Sequence, residues 1–125
     1  MKYLCLICAE KVMEQMTEEE ATEQFKEYSE FTEAIRVSGH YLGCNRLVPP
    51  KEAVTIRVRN GKVTTTDGPY VETKEQLGGY YLIEARDLNE AIQVADKIPG
   101  AKYGCVEIRP VAGDEQTLKA LGFDG

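Results

Sequence analysis

The stretch AVTIRVRNGKVTTT, residues 53 to 66, decides the fold because it marks a β-hairpin at the centre of the chain. Two runs rich in Val, Ile and Thr flank Asn60-Gly61. Type I′ hairpin turns need a positive φ at both central positions, which Asn and Gly adopt most readily. The chain has 125 residues, about the length of one domain. The hairpin therefore divides a single domain into two halves.

The half before the hairpin has the order strand, helix, strand. Residues 2–9 are a nearly continuous apolar run, typical of a central strand. Thr17 with Glu20 three positions later predicts a helix start by a capping box, and Gly39 predicts its end. Residues 40–47 predict the second strand. Apolar spacing predicts that the helix buries Ala21, Phe25, Tyr28, Thr32 and Ile35.

The half after the hairpin repeats this order. Residues 79–85 predict a strand, and Asp87 with Glu90 predicts a second capped helix. Residues 103–111 predict the last strand, and residues 114–121 a short C-terminal helix. The expected buried stripe of the second helix is Leu88, Ala91, Ile92, Ala95 and Ile98.

The order of elements predicts an α+β fold, a ferredoxin-like βαββαβ protomer with an extra β-hairpin. Both helices would cover one face of an antiparallel sheet. The other face also needs a cover, and a second copy of the same sheet would supply it in a two-fold homodimer.

Composition narrows the classes of function. The net charge of −6 disfavours direct binding of nucleic acid, because phosphate backbones repel an acidic chain. No apolar run approaches the roughly 20 residues of a membrane span, so we expect a cytoplasmic protein without membrane contact.

The four cysteines invite a metal or disulfide interpretation. Cys5 and Cys8 would point to opposite faces of the first strand, so one metal ion cannot easily bind both. We expect reduced structural thiols, no metal and no cofactor.

Four motifs together resemble a known family. They are TDGPY (66–70), ETKEQLGGYY (72–81), LIEARDLNEA (82–91) and VEIRPV (106–111). This pattern resembles the DGPF signature of YCII-related proteins, with Tyr70 in place of the Phe. The resemblance covers about residues 1–112 and leaves 113–125 as a C-terminal extension. It implies a dimeric α+β barrel, a small-molecule pocket within the protomer or at the dimer interface, and a regulatory context of alternative sigma factors.

The sequence departs from a His-Asp pair that related members of the wider superfamily carry. The resemblance would place that His about where Tyr28 stands, and the Asp near residues 35–38, which contain no acid. The chain therefore lacks the family's best argument for a general-base enzyme.

The D-G-P corner supplies the candidate catalytic group. Asp67 can accept backbone N–H bonds and shape the turn together with Gly68 and Pro69. Alternatively, the corner presents Asp67 into a cavity beside Tyr70 and Glu72, where it would act as a base. The two roles are compatible.

Glu72 and Lys74 lie two residues apart, so an extended segment puts both on one side. They could bind a polar ligand. Pairing with Arg57, Arg59 or the other protomer is the preferred interpretation.

The remaining candidates each have a structural alternative. Gly78 and Gly79 are expected to shape a tight connection rather than a phosphate loop. His40, the only histidine, would cap the helix end or bind a ligand. Tyr28 would line a pocket or pack in the core. Arg109 would meet a ligand carboxylate or pair with an acid at the corner.

The leading functional hypothesis is a small protein that binds an unidentified organic molecule in a polar, tyrosine-lined pocket. The residues expected to orient this ligand are Asp67, Tyr70, Glu72 and Arg109. Any enzymatic activity would be cofactor-free proton transfer with Asp67 as the base. Two alternatives remain open: a regulatory module that contacts a sigma-factor-related partner, and a structural dimer without catalysis.

Overall fold

The computed structural model describes residues 1–9, 16–70, 75–113 and 115–122. A short 3-10 helix, Pro50–Glu52, precedes the hairpin. The strands are β1 (Lys2–Ala9), β2 (Tyr41–Arg46), β3 (Val54–Arg59), β4 (Lys62–Asp67), β5 (Gln76–Glu84) and β6 (Gly104–Pro110). The helices are α1 (Glu18–Val37), α2 (Leu88–Ala95), α3 (Gly100–Tyr103) and α4 (Glu115–Ala120).

The main sheet has four antiparallel strands in the order β2-β5-β1-β6. The hairpin β3–β4 forms a separate two-stranded sheet. This topology is the ferredoxin-like arrangement with an inserted hairpin, so the predicted fold class is confirmed. The sheet is open, and the described residues form no closed barrel.

The core lies between the sheet and the two longer helices. Cys5 on β1 pairs with Tyr81 on β5, and both side chains point toward the helices. The Tyr81 ring meets Phe31 of α1 edge-on at 5.1 Å between centroids, and the Tyr81 hydroxyl lies 2.6 Å from Thr32 Oγ1. Residues of α2 complete the same cluster, among them Ala91, Val94 and Ala95. Both helices therefore cover one face, as predicted.

The caps and the central turn are confirmed. Thr17 Oγ1 accepts the backbone N–H of Glu20 at 3.1 Å, and an Asp87 carboxylate oxygen accepts that of Glu90 at 2.9 Å. Asn60 and Gly61 have φ values of 54° and 75°. These features depend on neighbours in sequence, which is why the sequence predicts them well.

The predicted buried stripes are partly wrong. Ala21 is exposed and Phe25 is 73% exposed. Of the residues in α1, those that are buried are Gln24, Phe31 and Ile35. The edge-on contact of Phe31 with the sheet sets the rotation of α1, and Phe25 then lies outside the packed face.

In α2, Leu88 and Ile92 are 48% and 46% exposed, while Val94 is buried. The inner face of α2 also contains the small residues Ala91 and Ala95. Small side chains let a helix approach the sheet closely, so α2 turns them inward and leaves larger apolar residues outside.

Candidate functional site

A cleft opens where the end of α1 meets the start of α2. β1 runs antiparallel to β5. The helix that follows β1 therefore ends at the same end of the sheet at which the helix that follows β5 begins. Two cavities of about 390 and 710 Å³ lie there. Both cavities are lined by Ser38, His40, Arg86 and Glu90. The cleft at this end of the sheet is therefore the candidate site.

The end of α1 positions Ser38 and His40. Gly39 between them has a φ of 84°, a left-handed conformation that reverses the chain as in a helix C-terminal motif. The backbone N–H of His40 then donates to the carbonyl of Ile35 at 2.9 Å. As a result Ser38 Oγ lies 2.6 Å from His40 Nδ1.

Glu90 reaches the same histidine from the first turn of α2. His40 Nε2 and Glu90 Oε1 are 2.8 Å apart, with both side chains about three-quarters buried. Arg86 Nη2 lies 3.5 Å from the other carboxylate oxygen. The hydrogen bond from His40 and the charge of Arg86 lower the pKa of Glu90 against an opposing effect of partial burial. Glu90 is therefore an anion at neutral pH.

The row Ser38–His40–Glu90 joins a hydroxyl, an imidazole and a carboxylate. When the imidazole is neutral and its Nε2–H donates to Glu90, Nδ1 is an acceptor that faces the cleft and Ser38. A base whose ring is oriented by a carboxylate is the arrangement used in general base catalysis.

Sequence reasoning named His40 but assigned Glu90 only to a capping box, and it did not single out Ser38. Spacing alone carried no signal, because His40 and Glu90 are 50 positions apart. The predicted topology did indicate that the two residues could meet, because it already places the end of α1 beside the start of α2.

The predicted catalytic corner lies elsewhere. Asp67 ends β4 and is exposed, and the Tyr70 ring is 78% exposed, with the Arg57 guanidinium 5.7 Å from its centre. Neither lines either cavity. Gly68 has a φ of 103°, and its N–H donates to the carbonyl of Ala53 at 2.7 Å. Pro69 follows Gly68 in this bend and is half-buried. The role of Asp67 as a base stays a prediction.

The two glycines expected to shape a tight connection lie inside strand β5. A Cβ at Gly79 would sit 2.9 Å from the carbonyl oxygen of Asn45 on neighbouring β2. Gly79 therefore permits close strand pairing, and Gly78 precedes it in the same strand. The expectation of a turn is corrected here.

The other predicted ligand contacts are dispersed. Tyr28 is half-buried against Tyr81, with ring centroids 6.5 Å apart, and burial with the neighbouring Tyr81 raises its pKa to about 12. Arg109 is exposed on β6, 3.9 Å from a Glu107 oxygen. Glu72 and Lys74 lie outside the described residues. The described members of the predicted set do not converge on one pocket.

Within the described residues, no three or more His, Cys, Asp or Glu side chains are grouped to hold a metal ion. None of the helices in that part of the chain combines the length and apolarity needed to cross a membrane.

Comparison with known proteins agrees with the fold. A model of the YCII-related domain matches residues 1–113. An uncharacterised protein of Rhizobium meliloti (strain 1021) is 45% identical over 69 residues, which cover 54% of this chain and 56% of that protein. The chain thus matches just over half the length of this relative. Because the family model extends over both halves of the fold, the chain belongs to the YCII-related domain family.

Proposed function

We propose that this protein binds a small polar organic molecule in the cleft at His40 and transfers a proton to or from it without a cofactor. The observation that carries this proposal is the chain of hydrogen bonds from Ser38 through His40 to Glu90, which lines both cavities. A solvent-accessible imidazole held by a carboxylate is suited to exchanging protons with a bound molecule.

The larger cavity suggests the character of the ligand. Its charged lining consists of two cations and one anion, Arg86, Lys97 and Glu90. An apolar wall is supplied by Phe31, Ile35 and Val94. Its volume of about 710 Å³ falls within the range of roughly 300–1,000 Å³ typical of small-molecule sites. A carbonyl or carboxylate compound with a short apolar part matches this lining. Among the residues that the structure describes, no tyrosine lines either cavity, so this pocket differs from the tyrosine-lined one expected from the sequence.

The single histidine makes the proposal directly testable by NMR. A library of small carboxylates and carbonyl compounds is screened for shifts of the His40 imidazole signals. We expect binders that shift these signals in wild type but not in Arg86→Ala, with Arg57→Ala on the hairpin as the matched control that retains binding. If the compounds bind only near Asp67 and Tyr70, or none binds at all, the proposal is refuted.

A homodimer is part of the proposal. Leu4 pairs with Leu82 and Leu6 with Tyr80, so these half-buried side chains share the sheet face that the helices leave open. A second copy would cover this face. Sedimentation velocity would detect the dimer, and Leu6→Glu should shift it toward monomer. A monomeric wild type at all concentrations would contradict it.

One observation favours the alternative of a regulatory interaction module. The hairpin exposes Val54, Ile56, Val58 and Val63 at 56–67% each, and their pairing places them on one face. A contiguous exposed apolar face of this kind often marks a protein contact. A sigma-factor-related partner would be tested by pull-down with wild type and Ile56→Lys, where equal recovery would exclude this face. The cytoplasmic location expected from the sequence is kept as part of both proposals.

A further inference from the structure

We propose that Ser38 is a nucleophile that accepts the acyl group of a small carboxylic ester, with His40 as its general base. This inference rests on the proposed function, because it uses the same cleft and the same histidine. It adds a covalent step, a substrate class and a role for a serine that neither the motifs nor the family resemblance singles out.

The geometry meets the requirements for an activated hydroxyl. A nucleophile and its base must lie within hydrogen-bond reach, roughly 2.6–3.2 Å, and a third group must orient the base. Ser38 Oγ is 2.6 Å from His40 Nδ1, and His40 Nε2 is 2.8 Å from Glu90 Oε1. Ser38 is exposed and lines both cavities, so an ester in the cleft can reach its oxygen.

Glu90 is a positioning residue in this arrangement. Its carboxylate accepts the Nε2–H of His40, which leaves Nδ1 without a proton and able to accept that of Ser38. Because the pKa of Glu90 is lowered by the histidine hydrogen bond, the carboxylate keeps this role at neutral pH. Ser38 Oγ also lies 3.2 Å from the carbonyl oxygen of Ile35, an alternative acceptor for the hydroxyl proton that is more distant than His40 Nδ1 at 2.6 Å.

Arg86 is positioned to stabilise the charge that develops on the ester carbonyl. The backbone N–H groups of residues 38, 39 and 40 already donate to carbonyls of α1, so they supply no oxyanion hole. The Arg86 guanidinium lines both cavities, and its side chain is 78% exposed. Its contacts with Asp87 and Glu90 are long, 3.5 Å each, so one of its N–H groups can also face the carbonyl oxygen. We therefore expect slow acyl transfer, since preorganised backbone donors usually contribute much of the rate.

The step balances without an external oxidant or reductant. Ser38 Oγ forms a bond to the ester carbonyl carbon while its proton moves to His40 Nδ1. The ester C–O bond then breaks, and Nδ1 returns that proton to the departing alcohol. Water attacks the acyl-serine in the same way, which releases the carboxylic acid and restores the Ser38 hydroxyl. The apolar wall of Phe31, Ile35 and Val94 favours a short-chain acyl group.

The test uses p-nitrophenyl acetate and p-nitrophenyl butyrate with the full chain. Peptide mass spectrometry after a brief reaction locates the acyl group. We expect it on Ser38 in wild type and on the cysteine of Ser38→Cys, but absent from the corresponding peptide of Ser38→Ala. Ser29→Ala is the matched control, because Ser29 is an exposed serine on the same helix. Thermal melts confirm that each variant is folded.

Two further readings separate the possible outcomes. Glu90→Gln should slow acylation of Ser38 by at least about tenfold and change the imidazole nitrogen shifts that report the His40 tautomer. Equal p-nitrophenol release by wild type and Ser38→Ala, or an acyl group found only on other residues, overturns the inference. If Ser38 stays unmodified while a small carboxylate still shifts the His40 signals, the acyl-transfer step fails and the proposed binding function stands.

Discussion

Gly39 determines whether Ser38 and His40 can meet, and its replacement by alanine makes a quantitative prediction. The φ of Gly39 is 84°, and a Cβ built there meets no atom within 4 Å. The cost of Gly39→Ala is therefore conformational and not steric, roughly 1–2 kcal/mol for an L-residue in the left-handed region. Alanine also lowers the conformational entropy of the unfolded chain, which offsets about 0.4–1 kcal/mol of that cost. We expect the free energy of unfolding to fall by about 1 kcal/mol, which corresponds to a Tm lower by about 4 °C.

Gly43→Ala is the matched control. Gly43 lies in β2, its φ is not in the left-handed region, and a Cβ there also meets nothing within 4 Å. Alanine at this position should raise the free energy of unfolding by about 0.4–1 kcal/mol. Urea denaturation of wild type and both variants measures the difference. We expect about 1–2 kcal/mol between the two alanine variants, because the contribution of the unfolded chain is common to both. Equal effects, or a more stable Gly39→Ala, would refute the reasoning about the helix end.

Three further predictions concern the core and the acid limit. Ile83 is fully buried and Ile92 is 46% exposed, so Ile83→Ala should cost about 2–5 kcal/mol and Ile92→Ala about 1 kcal/mol or less in chemical denaturation. Thr32→Val leaves the buried Tyr81 hydroxyl without its partner at 2.6 Å and should lower the free energy of unfolding by about 1–3 kcal/mol. The double variant with Tyr81→Phe should lose less than the sum of the two single variants. Strictly additive losses would contradict a hydrogen bond between Thr32 and Tyr81. The backbone N–H of Glu90 lowers the pKa of the Asp87 carboxyl below its ordinary 3.8. The charged Asp87 therefore stabilises the fold above pH 3.8, and this contribution is lost as the pH falls through the lower pKa of the folded state. Asp87→Asn should flatten the acid side of a curve of unfolding free energy against pH.

The fold was largely predictable because its signals are local. The caps at Thr17 and Asp87 and the turn at Asn60-Gly61 each depend on residues within three positions of one another. The order of strands and helices then left few topologies, since split βαβ units obey strict connection rules. The burial of Phe31 in place of Phe25 was not predictable in this way, because it depends on how α1 rotates against Tyr81.

The site was harder to predict than the fold. Asp67 attracted attention because its motif is distinctive in sequence, yet it lies exposed on a hairpin outside both cavities. Ser38 and Glu90 looked like ordinary residues at helix ends. A site built from two such ends has no linear motif, and only the contact distances identify it.

The sequence by itself determined the order of the predicted strands and helices and several of their ends, since capping, turn formation and apolar periodicity act between near neighbours. It did not predict α3 (Gly100–Tyr103), and β5 begins at Gln76 and not at residue 79. Only the tertiary structure decided which helix faces are buried and which polar groups meet. His40 and Glu90 come within 2.8 Å across 50 positions because the antiparallel β1–β5 pairing places the end of α1 beside the start of α2. Interactions between near neighbours in sequence do not determine the distance between His40 and Glu90, because that distance results from the packing of two helices on one sheet.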